Sequence, residues 1–261
     1  MPGLYQGNGI SSPGRKLQYR QKRRTPPKDT LFGEIVAANA LYSITPFTLL
    51  DYPDKTACIL WFAGCNMRCV YCYNPDIVNG KGTKSFDDAL TFLDKRGNLL
   101  DGVVLSGGEC TLHKGLPDFI AKLKERGYHV KIDTNGSKPQ LLEQLIQTGL
   151  VDYIALDFKA LPRTFKKITV SNLYDKFNQS LNMMLRNNIP FEVRTTVHSD
   201  LISKNDMQEM ILFLEQSGYS GKYFVQYFVN DTPTLGDLGP SRKILIAEDF
   251  TSSSIQVIFR A

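Results

Sequence analysis

Cys65, Cys69 and Cys72 lie close together in the sequence, at the spacing C-x3-C-x2-C. Thiolates bind zinc and iron–sulfur clusters, and a four-iron cluster ordinarily takes four of them. With three ligands from this segment, one iron would keep an open position, and open positions are where substrates or cofactors bind catalytic metals. A zinc site and unrelated core thiols are the alternatives. Zinc, however, usually takes histidine or a fourth cysteine, and this segment holds no histidine.

A second candidate motif is Ser106-Gly107-Gly108-Glu109, which follows a predicted strand. The two glycines allow the backbone to approach a ligand closely, and the Glu109 carboxylate can accept hydrogen bonds from an ammonium group. In isolation such a sequence is most often an ordinary turn. The next residue, Cys110, is an alternative fourth iron ligand, but it would then leave no iron open.

Two further polar motifs follow predicted strands. Asp133-Thr134-Asn135-Gly136 offers carboxylate, hydroxyl and amide oxygens that suit ribose hydroxyls or a cation, and its alternative interpretation is an Asx turn. Asp157-Phe158-Lys159 closes the next strand. Lys159 is a candidate for cofactor or partner binding, with an ordinary exposed lysine as the alternative.

The fifth predicted strand carries Arg194 and ends at His198. An arginine inside a barrel needs an anionic partner, which is either a bound carboxylate or Glu192 on the same face. His198 is a candidate contact for adenine or ribose, or simply a polar loop residue. Gln226 on the sixth strand is a weaker candidate for adenine.

Alternating strands and helices position these motifs. The patterns predict strands at 56–63, 102–105, 128–132, 151–156, 190–197 and 222–228, with helices at 85–95, 116–126, 140–148, 173–187 and 205–217. This alternation is typical of an α/β fold with a parallel sheet and right-handed crossovers. Six units are too few for a closed eight-stranded barrel, so we expect an open (β/α)6 partial barrel with ligands at the carboxyl ends of the strands.

Composition divides the chain of 261 residues into three predicted parts. Residues 1–30 are polar and basic and predict a disordered arm, 31–230 form the barrel, and 231–261 form an extension that packs on it, with a peripheral strand at 255–259. The arm is either a solvated tail, which we favour, or a contact for nucleic acid or an acidic partner. The absence of a long apolar run or apolar leader argues against membrane insertion, and five cysteines, an odd number, favour a reducing cytoplasm.

The cysteine motif, with aromatic Tyr71 before Cys72, resembles the signature of the radical S-adenosylmethionine superfamily. The sequences DYP at 51–53, SGGE, DTNG, LDFKA at 156–160 and RTTV at 194–197 resemble most closely the activating proteins of anaerobic ribonucleoside-triphosphate reductases. Activators of pyruvate formate-lyase share the same frame. The resemblance implies the same partial barrel that the alternation of elements predicts.

The resemblance also implies a mechanism. The three cysteines would hold one [4Fe–4S] cluster, and an electron from a flavodoxin or ferredoxin-type donor would cleave S-adenosylmethionine to a 5′-deoxyadenosyl radical. That radical would take hydrogen from a glycine of a partner glycyl-radical enzyme, with no catalytic side chain beyond the cluster and cofactor. The resemblance also implies a monovalent cation shared by Asp133, Thr134 and Asp157. The implied cofactor-binding residues are Tyr71, Gly107, Gly108, Glu109, Asp133, Thr134, Asn135, Asp157, Lys159, Arg194 and His198.

Two other functions remain open at the level of sequence. One is a radical S-adenosylmethionine enzyme that modifies a peptide, a nucleoside or RNA, or a small molecule; the other is a non-catalytic iron–sulfur or zinc protein. No cysteine-rich insertion separates Cys72 from Gly107, which favours a single cluster.

Overall fold

The computed structural model describes residues 39–242 and 245–260, so the predicted basic arm lies outside the described residues. A sheet of eight strands forms its centre, and the strands follow one another in sequence order. The first strand is antiparallel to the second, and all later neighbours are parallel. The strands are β1 (Leu41–Thr48), β2 (Ala57–Phe62), β3 (Gly102–Gly107), β4 (His129–Thr134), β5 (Tyr153–Asp157), β6 (Phe191–Val197), β7 (Gly221–Tyr227) and β8 (Ile255–Arg260).

Helices connect the parallel strands and cover one face of the sheet. They are α1 (Pro75–Asn79), α2 (Phe86–Arg96), α3 (Leu116–Glu125), α4 (Pro139–Gln147), α5 (Pro162–Thr169), α6 (Tyr174–Asn187) and α7 (Lys204–Gln216). Ser85 caps helix α2, as predicted: its side chain accepts a hydrogen bond from the Asp88 backbone N–H in a capping box. The predicted open partial barrel is confirmed, with β1 and β8 as the edges of the sheet.

The structure adds strand β1 and helices α1 and α5, which the sequence patterns do not predict. Strand β1 lies in a segment that reads as an irregular lead-in, because Pro46 interrupts it. Pro46 falls within an irregularity of the register between Thr45 and Thr48 on an edge strand, where a missing N–H is tolerated. Helix α5 begins with Pro162 and adds a second helix to the connection between β5 and β6. The predicted peripheral strand is present as β8.

The apolar core lies between the helices and the outer face of the sheet. Cys58 is fully buried there, and burial raises the pKa of its thiol to about 12, so it is a core residue as predicted. A smaller apolar cluster on the inner face contains Tyr52, Ile59 and Val104. Towards the carboxyl ends of the strands the inner face becomes polar, and the cysteines lie at that end.

No helix within residues 39–242 and 245–260 is long and apolar enough to cross a membrane.

Candidate functional site

One cavity of about 190 Å³ opens at the carboxyl ends of the parallel strands. It is lined by all three clustered cysteines and by most of the predicted cofactor-binding residues. Parallel strands bring distant motifs together here because each strand ends at the same edge of the sheet. The predicted residues on its wall are Cys65, Cys69, Tyr71, Cys72, Gly107, Gly108, Asp133, Thr134, Asn135, Asp157, Lys159 and Arg194, together with the weaker candidate Gln226.

The cysteine loop, residues 64–74, is held by backbone hydrogen bonds on both sides. Arg68 N and Val70 N donate to the carbonyls of Thr169 and Ile168 at the end of α5, both at 2.9 Å. On the opposite side Leu235 N and Gly236 N donate to the carbonyls of Cys72 and Val70 at 3.0 and 2.9 Å. The residues after β7 therefore brace the loop that carries the thiols.

The glycines of the SGGE motif pack directly against the start of the cysteine loop. Gly108 N donates to Phe62 O at 2.8 Å, and Glu109 N donates to Gly64 O at 2.9 Å. A Cβ atom at Gly108 would lie 1.9 Å from Gly64 O. The sequence predicted that glycine is needed here so that a ligand can approach the backbone. In the structure the Gly64 backbone already lies so close that position 108 must be glycine.

Gly236 gives a test of the bracing segment. A Cβ atom there would lie 2.7 Å from Val70 Cβ and 2.8 Å from Val70 O, so Gly236→Ala must displace the cysteine loop or the brace. We expect a loss of stability of about 1–3 kcal/mol, as for other overpacked sites, and reduced iron loading. Urea unfolding and iron content per chain measure the two effects. Gly239→Ala is the matched control, because a Cβ atom there meets nothing within 4 Å; equal behaviour of the two variants would contradict the bracing role.

The three thiols face the cavity with different exposure. Cys65 and Cys72 are partly exposed and Cys69 is buried. Burial raises the pKa of Cys65 and raises that of Cys69 to about 12. Iron bound by these thiols would supply the positive charge that favours the thiolate form. Three soft donors on one braced loop at the edge of a cavity fit a thiolate-bound cluster.

A single-ion site fits these residues less well. Among the described residues, no three His, Cys, Asp or Glu side chains form a group that could hold one metal ion. In a cluster each thiolate binds a different iron, so the sulfurs need not converge on one point. Cys110 does not line the cavity: it is fully buried, and its Sγ lies 3.8 Å from Asp133 O.

Five charged side chains form a network at the ends of β4, β5 and β6. Arg194 bridges the two carboxylates, with Nη1 3.2 Å from Asp133 Oδ2 and Nε 3.0 Å from Asp157 Oδ1. Lys131 Nζ donates to Asp133 Oδ1 at 2.6 Å, and Lys159 Nζ donates to Asp157 Oδ2 at 3.0 Å. Arg194 therefore pairs with these aspartates, and the alternative partner Glu192 instead accepts a hydrogen bond from Tyr153 at 3.3 Å.

The network fixes the charge state of both carboxylates. Burial alone would raise the pKa of Asp133, but the Arg194 guanidinium and the Lys131 ammonium outweigh it and lower the value to about 2. At Asp157 burial again acts to raise the pKa, but Arg194 and Lys159 outweigh it and lower the pKa below its usual range. Both aspartates are therefore ionised at neutral pH.

The monovalent cation implied by resemblance does not fit this arrangement. Every carboxylate oxygen of Asp133 and Asp157 already accepts a hydrogen bond from a protein cation. Thr134 Oγ1 is also engaged, since it donates to Glu109 at 2.9 Å and accepts from Gly136 N at 3.1 Å. Three cations against two carboxylates leave the network at +1, which repels a further cation.

Glu109 lies beneath the cavity wall. Its side chain is buried, and its oxygens accept hydrogen bonds from the side chain of Thr134, the backbone N–H of Asn135, and both the hydroxyl and the backbone N–H of Thr111. Burial raises the pKa of the carboxyl despite these donors. In this structure Glu109 ties the SGGE segment to the turn after β4, and its role towards an ammonium group stays a prediction.

His198 lies outside the cavity. Its Nδ1 accepts from Asp200 N at 3.1 Å, so Nε2 carries the proton and donates to Gly239 O at 2.9 Å. The ring also packs edge-on against Phe228. His198 therefore anchors the segment after β7, and it does not lie with the other predicted cofactor-binding residues.

Several cavity residues escaped the sequence analysis as site residues. Asp51 and Ser106 were noted only as parts of motifs, and Trp61 and Thr196 were read as strand residues. For Trp61, Ser106 and Thr196, which lie in β2, β3 and β6, the signal was the period-2 alternation of strands, because every second side chain faces the barrel interior. Tyr71 adds one binding feature: its buried hydroxyl has no hydrogen-bond partner among the described residues, so a ligand in the cavity can supply one.

Comparison with known proteins adds to this geometry. Residues 59–215 match the family described as the Radical SAM superfamily. A Methanocaldococcus jannaschii protein whose name reads "Putative glycyl-radical enzyme activating enzyme" is 32% identical over 177 residues, which are 64% of this chain and 72% of that protein. The pyruvate formate-lyase-activating enzyme of Clostridium pasteurianum is 33% identical over 46% of this chain and 52% of its own length.

Among solved structures, Streptococcus suis SuiB bound to S-adenosylmethionine superposes with a TM-score of 0.60 at 13% identity. The match covers 78% of this chain and 52% of SuiB. At this identity the likeness concerns the fold, which is the partial barrel described above.

Proposed function

Since this chain belongs to the radical SAM superfamily, in the group of glycyl-radical enzyme activating enzymes, we propose that it activates the anaerobic ribonucleoside-triphosphate reductase. In this proposal it cleaves S-adenosylmethionine reductively and takes a hydrogen atom from a glycine of that partner. The observation that supports the chemistry is the single cavity shared by three thiols and the polar ends of the parallel strands. The suite of motifs after each strand supports the choice of partner.

Cys65, Cys69 and Cys72 would hold the cluster, and they leave one of its irons without a protein ligand. Cys58 and Cys110, the other two cysteines, are buried outside the cavity. A [4Fe–4S] cluster bound there would supply the electron, taken from a flavodoxin or ferredoxin-type donor, for the reductive cleavage of S-adenosylmethionine.

The other cavity residues would bind and orient the cofactor. The +1 network of Asp133, Asp157, Arg194 and the two lysines favours an anionic group such as the carboxylate of S-adenosylmethionine. Tyr71 offers its ring and its hydroxyl, which has no hydrogen-bond partner in the part of the chain that the structure describes. Glu109 would act on the ammonium group through the turn that it holds, or directly through an oxygen lone pair.

The inner apolar cluster would keep water from the reacting atoms. Ile59 and Trp61 lie on the cavity wall, and Tyr52 and Val104 pack beside them. Trp61 is fixed by a hydrogen bond from its Nε1 to Thr45 Oγ1 at 2.8 Å. Placement and exclusion of water matter because a carbon radical reacts with whatever lies within reach.

Electron paramagnetic resonance tests the proposal directly. The reconstituted chain is incubated anaerobically with a reductant, S-adenosylmethionine and purified anaerobic ribonucleoside-triphosphate reductase, and we expect the doublet of a glycyl radical. A reductase whose radical glycine is replaced by alanine is the control and should give no doublet. A doublet on pyruvate formate-lyase alone would contradict the choice of partner, and cofactor cleavage without a doublet on either protein would contradict the activating function.

A further inference from the structure

Lys131 is a buried cation that enters the mechanism described so far only through the net charge of the network. Its side chain is 1% exposed and lies on the inner face of β4, two residues before Asp133. Its ammonium nitrogen is 2.6 Å from Asp133 Oδ1. A lysine buried to this extent is uncommon, because removing its charge from water is costly unless a carboxylate compensates.

Asp133 has no free oxygen when Lys131 is present. Its Oδ1 accepts from Lys131, and its Oδ2 accepts from Arg194 at 3.2 Å and from Ser106 Oγ at 3.1 Å. A monovalent cation between Asp133 and Asp157 would need oxygens that these donors occupy, and it would enter a network whose net charge is already +1.

We propose that Lys131 is a resident counter-cation, a positioning residue whose ammonium takes the place of a bound monovalent cation beside Asp133. The site then orders its carboxylates without K⁺ or Na⁺, and binding of S-adenosylmethionine does not depend on either ion. Without the ammonium of Lys131 the network has two cations and two carboxylates, and Asp133 Oδ1 loses its donor. The inference rests on the proposed function only in the identity of the cofactor.

Two substitutions separate charge from space. Lys131→Ala removes the ammonium and opens room next to Asp133 Oδ1, so a K⁺ ion can enter. Lys131→Met removes the charge but fills most of the same volume, so it excludes the ion. Lys124→Ala is the matched control, since Lys124 makes an ion pair of equal length with Asp152 outside the cavity.

The experiment exchanges tetramethylammonium for K⁺ at constant ionic strength and measures two quantities. They are the affinity of the cluster-loaded chain for S-adenosylmethionine, by anaerobic calorimetry, and the melting temperature of the chain without cofactor. For the unchanged protein and for Lys124→Ala we expect neither quantity to respond to K⁺. For Lys131→Ala we expect K⁺ to raise the affinity at least about fivefold, or about 1 kcal/mol, and to raise the melting temperature. Lys131→Met should show weakened binding that K⁺ does not restore.

Specific results would overturn the inference. A K⁺ response of the unchanged protein means that the ion has a site beside Lys131, and a folded Lys131→Ala chain without a K⁺ response means that the ammonium does not stand in for an ion. If Lys131→Ala folds only in K⁺, the ion has restored the fold in place of the ammonium, as the inference expects. If Lys131→Ala folds in neither salt, the K⁺ responses of the unchanged protein and of Lys131→Met test the inference instead. Absence of S-adenosylmethionine binding in every variant would instead count against the proposed function, and the melting temperatures would still test Lys131.

Discussion

Cys69→Ala is expected to leave the chain without a stable iron–sulfur cluster and to reduce cleavage of S-adenosylmethionine to background. Cys69 is the central cysteine of the braced loop, between the backbone hydrogen bonds that Arg68 and Val70 donate to the end of α5. Its loss would leave two thiolates, which is too few to hold a four-iron cluster that already has one open iron. Cys65→Ala and Cys72→Ala should give the same result. Iron content after anaerobic reconstitution and the yield of methionine measure it.

Cys110→Ala is the matched control for this experiment. Its thiol is as deeply buried as any of the three, but it lies behind the SGGE segment near Asp133 O and outside the cavity. We expect Cys110→Ala to retain iron and cofactor cleavage, with the modest loss of stability that follows removal of a small buried group. Loss of iron equal to that of Cys69→Ala would show that Cys110 is a ligand and that no iron is open.

The cysteine loop and the strand-end motifs were predictable because each signal is local. Three thiols within one loop, and polar motifs directly after apolar strands, need no knowledge of long-range pairing. Parallel topology then brings Asp133, Asp157 and Arg194 to one edge. The contacts between them were not predictable, since Asp133 and Arg194 belong to strands that are not neighbours and meet only across β5.

Lys131 shows a second limit of sequence reasoning. In the strand His129–Thr134 a lysine between apolar residues reads as an ordinary polar position. Alternation puts Lys131 on the same face as Asp133, which was predicted to face the cofactor, but it does not show that the two side chains form an ion pair. His198 shows the opposite case, because its position at a strand end predicted a ligand contact that the structure does not place in the cavity. Its hydrogen bond to Gly239 depends on the path of the segment after β7, which the local sequence does not indicate.

Arg194→Met is expected to lower the free energy of unfolding at pH 7 by about 3–5 kcal/mol, the usual cost of removing one partner from a buried ion network. Arg194 is the only residue in the network that contacts both carboxylates. The variant should also bind S-adenosylmethionine more weakly, because its loss brings the net charge of the network from +1 to 0. Urea unfolding of the metal-free chain measures stability, and calorimetry of the loaded chain measures binding.

Arg163→Met is the control for charge removal alone. Arg163 also contacts two acidic residues, Asp206 and Glu209, but its side chain is 50% exposed. Water already solvates this group, so we expect the free energy of unfolding of Arg163→Met to stay close to that of the unchanged protein. Equal stability losses in the two arginine variants would contradict the importance of burial for the network.

The pH dependence of the Arg194→Met effect follows from the direction of the pKa shifts. In the unchanged protein the pKa of Asp133 is lowered to about 2, so its contribution to stability is full above the usual pKa of an aspartate and is lost as the pH falls through about 2. Without Arg194, burial is opposed only by Lys131 and by the hydrogen bond from Ser106, and the pKa of Asp133 rises. As the pH falls, Asp133 is therefore protonated in Arg194→Met before it is protonated in the unchanged protein, and the variant loses its poorly compensated buried charge. The difference in the free energy of unfolding between the two proteins should be largest near neutral pH and should narrow towards about pH 4. A difference that widens as the pH falls would contradict the assignment of Arg194 as the group that keeps both carboxylates ionised.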